Sequence, residues 1–298
     1  MHKLIKRITM PVISRLTWLP DKVYLKLRFF VELGYPLRLG KPETFNEKLQ
    51  WLKLNYRHPM MPIMVDKYRA RDYVAERIGS HHLIPLLGVW EKAEDIDFER
   101  LPQQFVIKCN HNSGNGMCIC KDKGKLDIPF VRKKLAEGLQ ENYYITSREW
   151  PYKNVPRCIV AEKFLVDKDS PEDSLRDYKF FCFNGKVEFF KIDFDRFSNH
   201  HANYYDRTGA LMDLGEADYP PDSNHNVDMP CTLHEMIRLA ERLSEGFPFL
   251  RVDFYSIGTR IYFGELTFYP AAGFGEFTPS GMDANIGKLL NLPYRQCI

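Results

Sequence analysis

The seven cysteines of this chain, at 109, 118, 120, 158, 182, 231 and 297, include no Cys-x-x-Cys pair and no Cys/His zinc spacing. That excludes the common structural-zinc modules, and an odd number of scattered thiols argues for reduced side chains in a cytoplasmic protein rather than a disulfide framework. No apolar run reaches the ~18–20 residues of a membrane-spanning helix. The start, MHKLIKRITM, is basic but leads into no apolar core with a small-residue cleavage site, so a secretory signal is not expected. Internal repeats, low-complexity tracts and linkers are missing. So are a Walker A loop, a dinucleotide GxGxxG and any Ser-His-Asp or Cys-His arrangement. A strong charge of one sign is missing too: 42 basic against 39 acidic residues leave +3, too little to mark a nucleic-acid binder.

What remains is an ordinary globular composition, 44% hydrophobic and 27% charged, in 298 residues that suffice for one large domain or two modest ones. The small net charge hides an asymmetry. Residues 1–40 carry eight Lys/Arg and two Asp/Glu, which makes that segment +6 and the remainder −3. Leu4, Ile8, Val12, Leu16 and Leu19 recur there at spacings of four and three, with Lys3, Arg7 and Arg15 elsewhere and Pro11 placed to kink or split a helix. Two readings are balanced: a short amphipathic element on an anionic membrane surface or a partner, or a helix packing on its own domain with a solvated basic face.

The spacing predicts a helix over 41–58 after a Thr44-x-x-Glu47 capping box, and a second over 64–79 that Gly79 ends. Beyond it the sequence reads as strands rich in β-branched and aromatic residues: QFVIKC, CIVAEKFL, YKFFCF, VEFFKI, FLRVDFY and RIYFGELTF. Residues 231–247 make a good amphipathic helix and 283–292 a weaker one. Helices alternating with paired strands imply an α+β fold, with sheets covered on one side by helices.

Four segments carry candidate chemistry. In FVIKCNHNSGNGMCIC a strand bearing Lys108 runs through Ser113-Gly114-Asn115-Gly116 into a second strand. The two glycines allow backbone N–H groups to cradle an anion, although such a hairpin is more often only a turn. Along FLRVDFY, alternation puts Arg251, Asp253 and Tyr255 on one face, and Glu265 and Thr267 share a face of the next strand. Two antiparallel strands then converge an Asp, a Glu and a hydroxyl. That is a hard-oxygen set suited to Mg2+, or equally an ordinary hairpin face with Arg251 paired to a carboxylate. The strand ending Glu162-Lys163-Phe164-Leu165 offers backbone groups to a flat heterocycle, as any strand end does. DYKFFCFNGKVEFFKID turns at Asn184-Gly185 with Asp177 and Lys179 on one face, which alone reads as a surface hairpin.

In this order the segments resemble the ATP-grasp superfamily. Asp66-Lys67 looks like the Asp-Lys that begins its core and sends a lysine to the nucleotide phosphates. Lys108 with residues 113–116 is similar to the strand and glycine loop that close over ATP. Glu162-Lys163-Phe164-Leu165 looks like the adenine hinge, and Arg251-Val-Asp253-Phe followed by Glu265-Leu-Thr267, Pro270 and Gly273 resembles the R-V-D-F…E-I-N-x-x-P-G finish. The Phe45-Asn46-Glu47-Lys48 helix and the phrases DKYRARDYV, KCNHNSGNG, DYKFFCFNGK and GELTFYPAAG look like the TupA-type branch, which is associated with teichuronopeptide and capsular polysaccharide assembly. The resemblance covers residues 41–280. Thr267 departs from the family's usual Asn, which leaves a second metal in doubt. The 65 residues ahead of Asp66 are too few for the Rossmann-like domain that usually precedes such a core, so the acceptor surface is expected from the N-terminal helices and residues 194–230.

The resemblance implies an ATP-grasp fold of two α+β subdomains clamping a nucleotide. A basic helical extension (1–60) would lead into an N-terminal subdomain with glycine loop and hinge (61–165), then a C-terminal subdomain with the metal site (166–298). It implies an ATP- and Mg2+-dependent carboxylate–amine ligase working through an acyl phosphate. ATP would be held by Lys67, Lys108, Ser113, Gly114, Asn115, Gly116, Glu162, Lys163, Leu165 and Lys179, and the metal by Asp253, Glu265 and Thr267. Arg251 and Lys179 would serve the transfer itself, and Arg196 and Asn199 are candidate acceptor contacts. The expected partners are a polysaccharide or glycan-lipid carboxylate such as a uronic acid, an amino acid or other amine, and the anionic inner membrane face, met peripherally from the cytoplasm; no nucleic acid is expected. Two alternatives stay open. A kinase or phosphotransferase acting on a sugar hydroxyl would use the same nucleotide residues, and a glycosyltransferase would find its Asp-x-Asp motif in Asp193-Phe-Asp195.

Overall fold

The computed structural model describes residues 9–167, 175–194, 200–225 and 227–293. In chain order it contains α1 (Asp21–Leu33), α2 (Phe45–Asn55), α3 (Met61–Met64), α4 (Ala70–Ile78), β1 (Leu86–Trp90), β2 (Phe105–Cys109), β3 (Met117–Cys120), α5 (Ile128–Gln140), α6 (Tyr143–Ser147), β4 (Ile159–Lys163), β5 (Asp177–Phe183), β6 (Lys186–Phe194), β7 (His201–Asp206), β8 (Gly215–Glu216), α7 (Leu233–Ser244), β9 (Phe249–Ile257), β10 (Arg260–Thr267), β11 (Phe277–Thr278) and α8 (Met282–Leu289). Every strand pairing is antiparallel. One sheet has the order β1-β4-β2-β3 and a larger one β10-β9-β5-β6-β7, with β8 and β11 paired apart. This is the α+β architecture the sequence implies.

Local chemistry sets the elements. Thr44 Oγ1 accepts from the Glu47 N–H while Glu47 Oε2 accepts from the Thr44 N–H, the reciprocal box that starts α2. Asn184 and Gly185, at φ 52° and 79°, supply the two left-handed residues of the β5–β6 hairpin. The helix expected over 64–79 is divided. Asp66 Oδ1 accepts from the Tyr68 and Arg69 N–H groups at 2.9 and 3.3 Å, offering the backbone a local partner in place of helical bonds, so α3 ends before Asp66 and α4 begins after it.

Alternation gives each strand of the large sheet two faces. On the back, Phe180, Phe190, Val252 and Phe254 are buried beneath α7. On the front, Phe45 of α2 meets Phe183 and Phe249 with ring centroids 5.6 and 5.0 Å apart. Phe181, Phe189 and Tyr204 continue this aromatic patch on the front, and the charged residues stand beside it. In the small sheet, Val131 and Leu135 of α5 cover Phe105, Ile107 and Ala161.

The sequence assigns α2 to an N-terminal extension, yet Phe45, Leu49 and Leu52 share one core with β5, β6 and β9. Its polar residues grip the C-terminal part of the chain. Lys48 Nζ donates to the Gly287 and Leu290 carbonyls, both at 2.8 Å, and Gln50 Nε2 to the Ala272 and Gly273 carbonyls. A smaller core of Ile13, Tyr24, Leu25, Phe29, Leu37 and Phe274 seats α1. Among the described residues no helix is long and apolar enough to cross a membrane.

Candidate active site

Strand register builds the site. Glu265, Asp253, Lys179 and Lys191 stand in one row across β10, β9, β5 and β6, each directly opposite the next. A bulge makes this row possible. Phe263 pairs with Phe254 but Glu265 pairs with Asp253, so Gly264 is the extra residue. With unbroken alternation Glu265 would oppose Val252 and point to the back face. A Cβ at Gly264 would lie 3.0 Å from the Asp253 carbonyl oxygen.

The charges of this row are mutually satisfied. Arg251 grips Asp253 with Nε and Nη2, both at 2.7 Å, and the same Nη2 reaches Glu265 Oε1 at 3.0 Å and Thr267 Oγ1 at 3.1 Å. Lys179 Nζ bonds Asp177, Asp253 at 2.9 Å and Asp193 at 3.5 Å. Lys191 reaches Asp193 at 3.5 Å and Glu216 at 3.2 Å. Burial alone would lower the pKa of Lys179, but the Asp177 and Asp253 carboxylates outweigh it and hold the ammonium above the ordinary lysine value. Burial would likewise raise Asp253, and Arg251 and Lys179 outweigh that to hold it below the usual carboxylate range. Interleaved signs of this kind are what allow a charged row to be buried.

The three residues expected to hold a metal are therefore together, but they converge on a guanidinium nitrogen. Asp253 has both oxygens engaged and its side chain is 2% exposed, whereas Glu265 is 44% exposed and takes Arg251 and Thr267 on Oε1. Mg2+ sharing its shell with phosphates needs only one or two carboxylates. Glu265 and Thr267 fit such an ion; Asp253 fits it only by giving up an ion pair. Among the described residues no group of three His, Cys, Asp or Glu is arranged to hold a metal by itself.

Across from this row stands Lys67, which lines a narrow cleft with Met64, Ala70, Tyr152, Gly264 and Glu265. Its Nζ donates to the Asn112 carbonyl at 2.5 Å, and burial, opposed by Glu265, lowers its pKa. Asn110 fixes this wall: its side chain donates to Asp66 and to the Pro156 carbonyl and accepts from the Cys158 N–H. Lys108 Nζ lies 2.6 Å from Glu162, which also meets Arg71 at 3.2 Å. The Glu162 side chain, at the expected hinge, is thus engaged by cations, and the Lys163 N–H donates to the Pro85 carbonyl. Leu165 follows β4, half-buried.

Ser113, Gly114 and Asn115 are exposed, and Gly114 and Gly116 have φ of 86° and 64°. Asn112 and Asn115 donate to Glu141 at 2.9 and 3.0 Å, tying the loop to the end of α5. Arg196, Asn199 and Asp195 lie outside the described residues.

Sequence reasoning missed a second buried pair beside the cleft. Lys53 Nζ donates to the Ser147 and Ala272 carbonyls at 2.7 and 2.8 Å, and Tyr143 donates to Glu149 Oε1 at 3.4 Å. Burial lowers Lys53 to about 7 against the pull of Glu149, and raises Glu149 to about 7 against the pull of Lys53. The Tyr143 ring lies 4.8 Å from that of Tyr152, a wall of the Lys67–Glu265 cleft. Ala271 and Ala272, at φ 48° and 51°, are a strained left-handed turn just after β10, braced through the Ala272 carbonyl by Gln50 and Lys53. The available signal was the recurrence of Asn46, Gln50 and Lys53 along one side of α2, which a solvated helix face would also show.

This fold is that of the ATP-grasp class. Residues 47–291 match the sequence model of the TupA-like ATPgrasp family, and the chain belongs to that family. No curated protein matches it. Among solved structures it is similar to the D-alanine–D-alanine ligase of Bacillus anthracis complexed with ATP, at 16% identity over 70% of this chain and 55% of that one, with a TM-score of 0.41. The Helicobacter pylori D-alanine–D-alanine ligase shares 13% identity over 83% and 69%, TM-score 0.42. The ATP-grasp ligase PsnB, complexed with its minimal precursor, Mg and ADP, shares 11% over 74% and 57%, TM-score 0.37. The chain thus spans 55% of the length of the first of these relatives.

Proposed function

We propose that this protein is an ATP- and Mg2+-dependent carboxylate–amine ligase acting on a carboxylate of a bacterial surface polysaccharide, such as a uronic acid, with an amino acid or other amine as the second substrate. The observation that carries the reading is Glu265, the exposed end of the row it forms with Asp253 and Lys179, facing Lys67 across one narrow cleft while Arg251 joins it to the buried Asp253. The glycan acceptor is supported by the family's association with teichuronopeptide and capsule assembly.

A carboxylate is a poor electrophile. Attack of its oxygen on the γ-phosphorus of ATP forms an acyl phosphate as the bond to ADP breaks. The amine nitrogen then attacks the acyl carbon, phosphate leaves with the C–O electrons, and the nitrogen loses a proton. Such chemistry asks for placement and charge neutralisation rather than a nucleophilic side chain. Lys67 and Lys108 would neutralise phosphate oxygens, and Lys179 would hold Asp253 in its charged form. Bound Mg2+, held by Glu265 and Thr267, would supply the Lewis acidity for phosphoryl transfer. Arg251 would meet the oxyanion on the acyl carbon, and residues 113–116 would keep water from the activated carboxyl.

Thermal melting with nucleotides is the test. Mg·ATP at a hundredfold excess over its Kd stabilises a binder by about 2.7 kcal/mol. Uronic-acid oligosaccharides with amino acids should then release ADP and phosphate together and yield an amide. Phosphate retained on the glycan would replace the ligase with a kinase. Stabilisation by nucleotide-sugars and not by ATP would replace it with a glycosyltransferase.

A further inference from the structure

The core explains only one side of α1. Tyr24, Leu25 and Phe29 are buried, yet Val23, Leu27 and Phe30, at i, i+4 and i+7, are exposed on the other side together with Lys22 and Lys26. At 3.6 residues per turn these five fall within an arc of about 140°. Just ahead of the helix, Val12 and Trp18 are 59% and 76% exposed, and Arg15 is exposed beside them. A helix apolar on both sides has an outer stripe its own domain does not use.

The charge on this surface is of one sign. Among residues 11–40 no exposed residue is acidic. Asp21 accepts from the Tyr144 hydroxyl at 2.7 Å and Arg148 at 3.2 Å, and Glu32 pairs with Arg28 at 3.3 Å. Both acids of the segment are drawn into internal bonds, which leaves lysines and large apolar groups facing out.

We infer that the outer face of α1, with Val12, Arg15 and Trp18 ahead of it, docks on an anionic phospholipid bilayer. Tryptophan and phenylalanine settle at the boundary of headgroups and acyl chains, and flanking lysines meet the lipid phosphates. A second copy of the chain would oppose like charges across the same surface. The two sequence readings concern the stripe Leu4, Ile8, Val12, Leu16 and Leu19, of which Leu4 and Ile8, like Lys3 and Arg7, lie outside the described residues; α1 carries the outer apolar face beyond that stripe. This inference is independent of the ligase reading, because it concerns a different face and is measured without nucleotide.

The test is co-sedimentation of the full chain with vesicles of phosphatidylcholine mixed with phosphatidylglycerol, against pure phosphatidylcholine. The protein is expected to pellet with the anionic vesicles only, and to be released at ~1 M salt, where the screening length falls to about 3 Å. The double substitution Lys22→Gln, Lys26→Gln should weaken binding roughly 25-fold, from about fivefold per lysine. Leu27→Glu with Phe30→Glu should abolish it at an unchanged melting temperature. Trp18→Ser, outside any helix, provides the check should the helix variants melt early, and should weaken binding severalfold. Failure of the wild type to pellet, equal binding to uncharged vesicles, or wild-type binding by Trp18→Ser and Leu27→Glu/Phe30→Glu would overturn the inference. So would a concentration-dependent dimer that these substitutions dissolve while no vesicle is bound.

Discussion

Lys179 on β5 and Asp253 on β9 stand directly opposite one another, and Lys179 Nζ meets Asp253 Oδ2 at 2.9 Å inside the protein. Arg251 holds the same carboxylate from its own strand, so Asp253 lies between two cations while Lys179 lies among three carboxylates. Each is buried as an ion against the other, with further counter-charges on its far side.

Lys179→Met should therefore destabilise the fold by about 3–5 kcal/mol, since it strands buried carboxylates. Adding Asp253→Asn should cost less than the sum of the single changes, because each removes the other's need for a partner. Urea unfolding of the four proteins measures this; strict additivity would show that the pair is not coupled.

The glycine loop separates two causes of strain. Gly114 has φ of 86° with open space around it, whereas Gly116, at 64°, would place a Cβ 2.6 Å from Cys109 Sγ and 3.0 Å from the Gly138 Cα. Gly114→Ala is expected to cost about 1–2 kcal/mol from backbone strain alone. Gly116→Ala should cost more, about 2–4 kcal/mol, because overpacking adds to the strain. Equal costs in thermal unfolding would mean that the tight approach of β2 and α5 relaxes freely.

Stability should have a local minimum near pH 7 from the Lys53–Glu149 pair. Glu149, raised by burial from 4.5 to about 7, keeps its proton in the folded protein while the unfolded chain releases it, so stability falls as pH rises across that interval. Lys53, lowered by burial from 10.5 to about 7, has released its proton in the folded protein while the unfolded chain still holds it, so stability rises from about pH 7 to 10.5. The acid limb is worth up to about 3 kcal/mol and the alkaline limb up to about 5 kcal/mol. Glu149→Gln should erase the acid limb in a series of urea melts between pH 4.5 and 7; an unchanged slope would place its origin elsewhere.

Glu265→Gln should leave unliganded stability within about 1 kcal/mol, because a half-exposed ion pair contributes little. In melting experiments Mg2+ should then no longer strengthen the stabilisation given by ATP. Gly264→Ala, pressing on the Asp253 carbonyl at 3.0 Å, should weaken the same increment partially. A full Mg2+ increment in Glu265→Gln would remove this residue from the metal site.

Several features were readable along the chain because their causes are local. The Thr44–Glu47 box, the Asn184-Gly185 turn and the alternation of Arg251 with Asp253 each depend on residues a few positions apart. The same locality misled at residues 64–79, where helical periodicity is real but Asp66 takes the backbone bonds of the next turn. Lys108 and Glu162 illustrate another limit. The sequence pattern places each at a bound nucleotide, and only the pairing of β2 with β4 shows that they meet one another at 2.6 Å.

By itself the sequence determined the class of fold, the strands that carry the charged row and the residue types available for nucleotide chemistry, because periodicity, capping and turn chemistry act over a few residues. The tertiary structure alone decided which charges face each other. The extra residue at Gly264 turns Glu265 to the front of the sheet, α2 reaches 219 residues ahead to brace Ala272 through Lys53, and α1 turns a basic apolar stripe outward. These outcomes depend on strand register and on packing between segments far apart in the chain, and no local pattern encodes them.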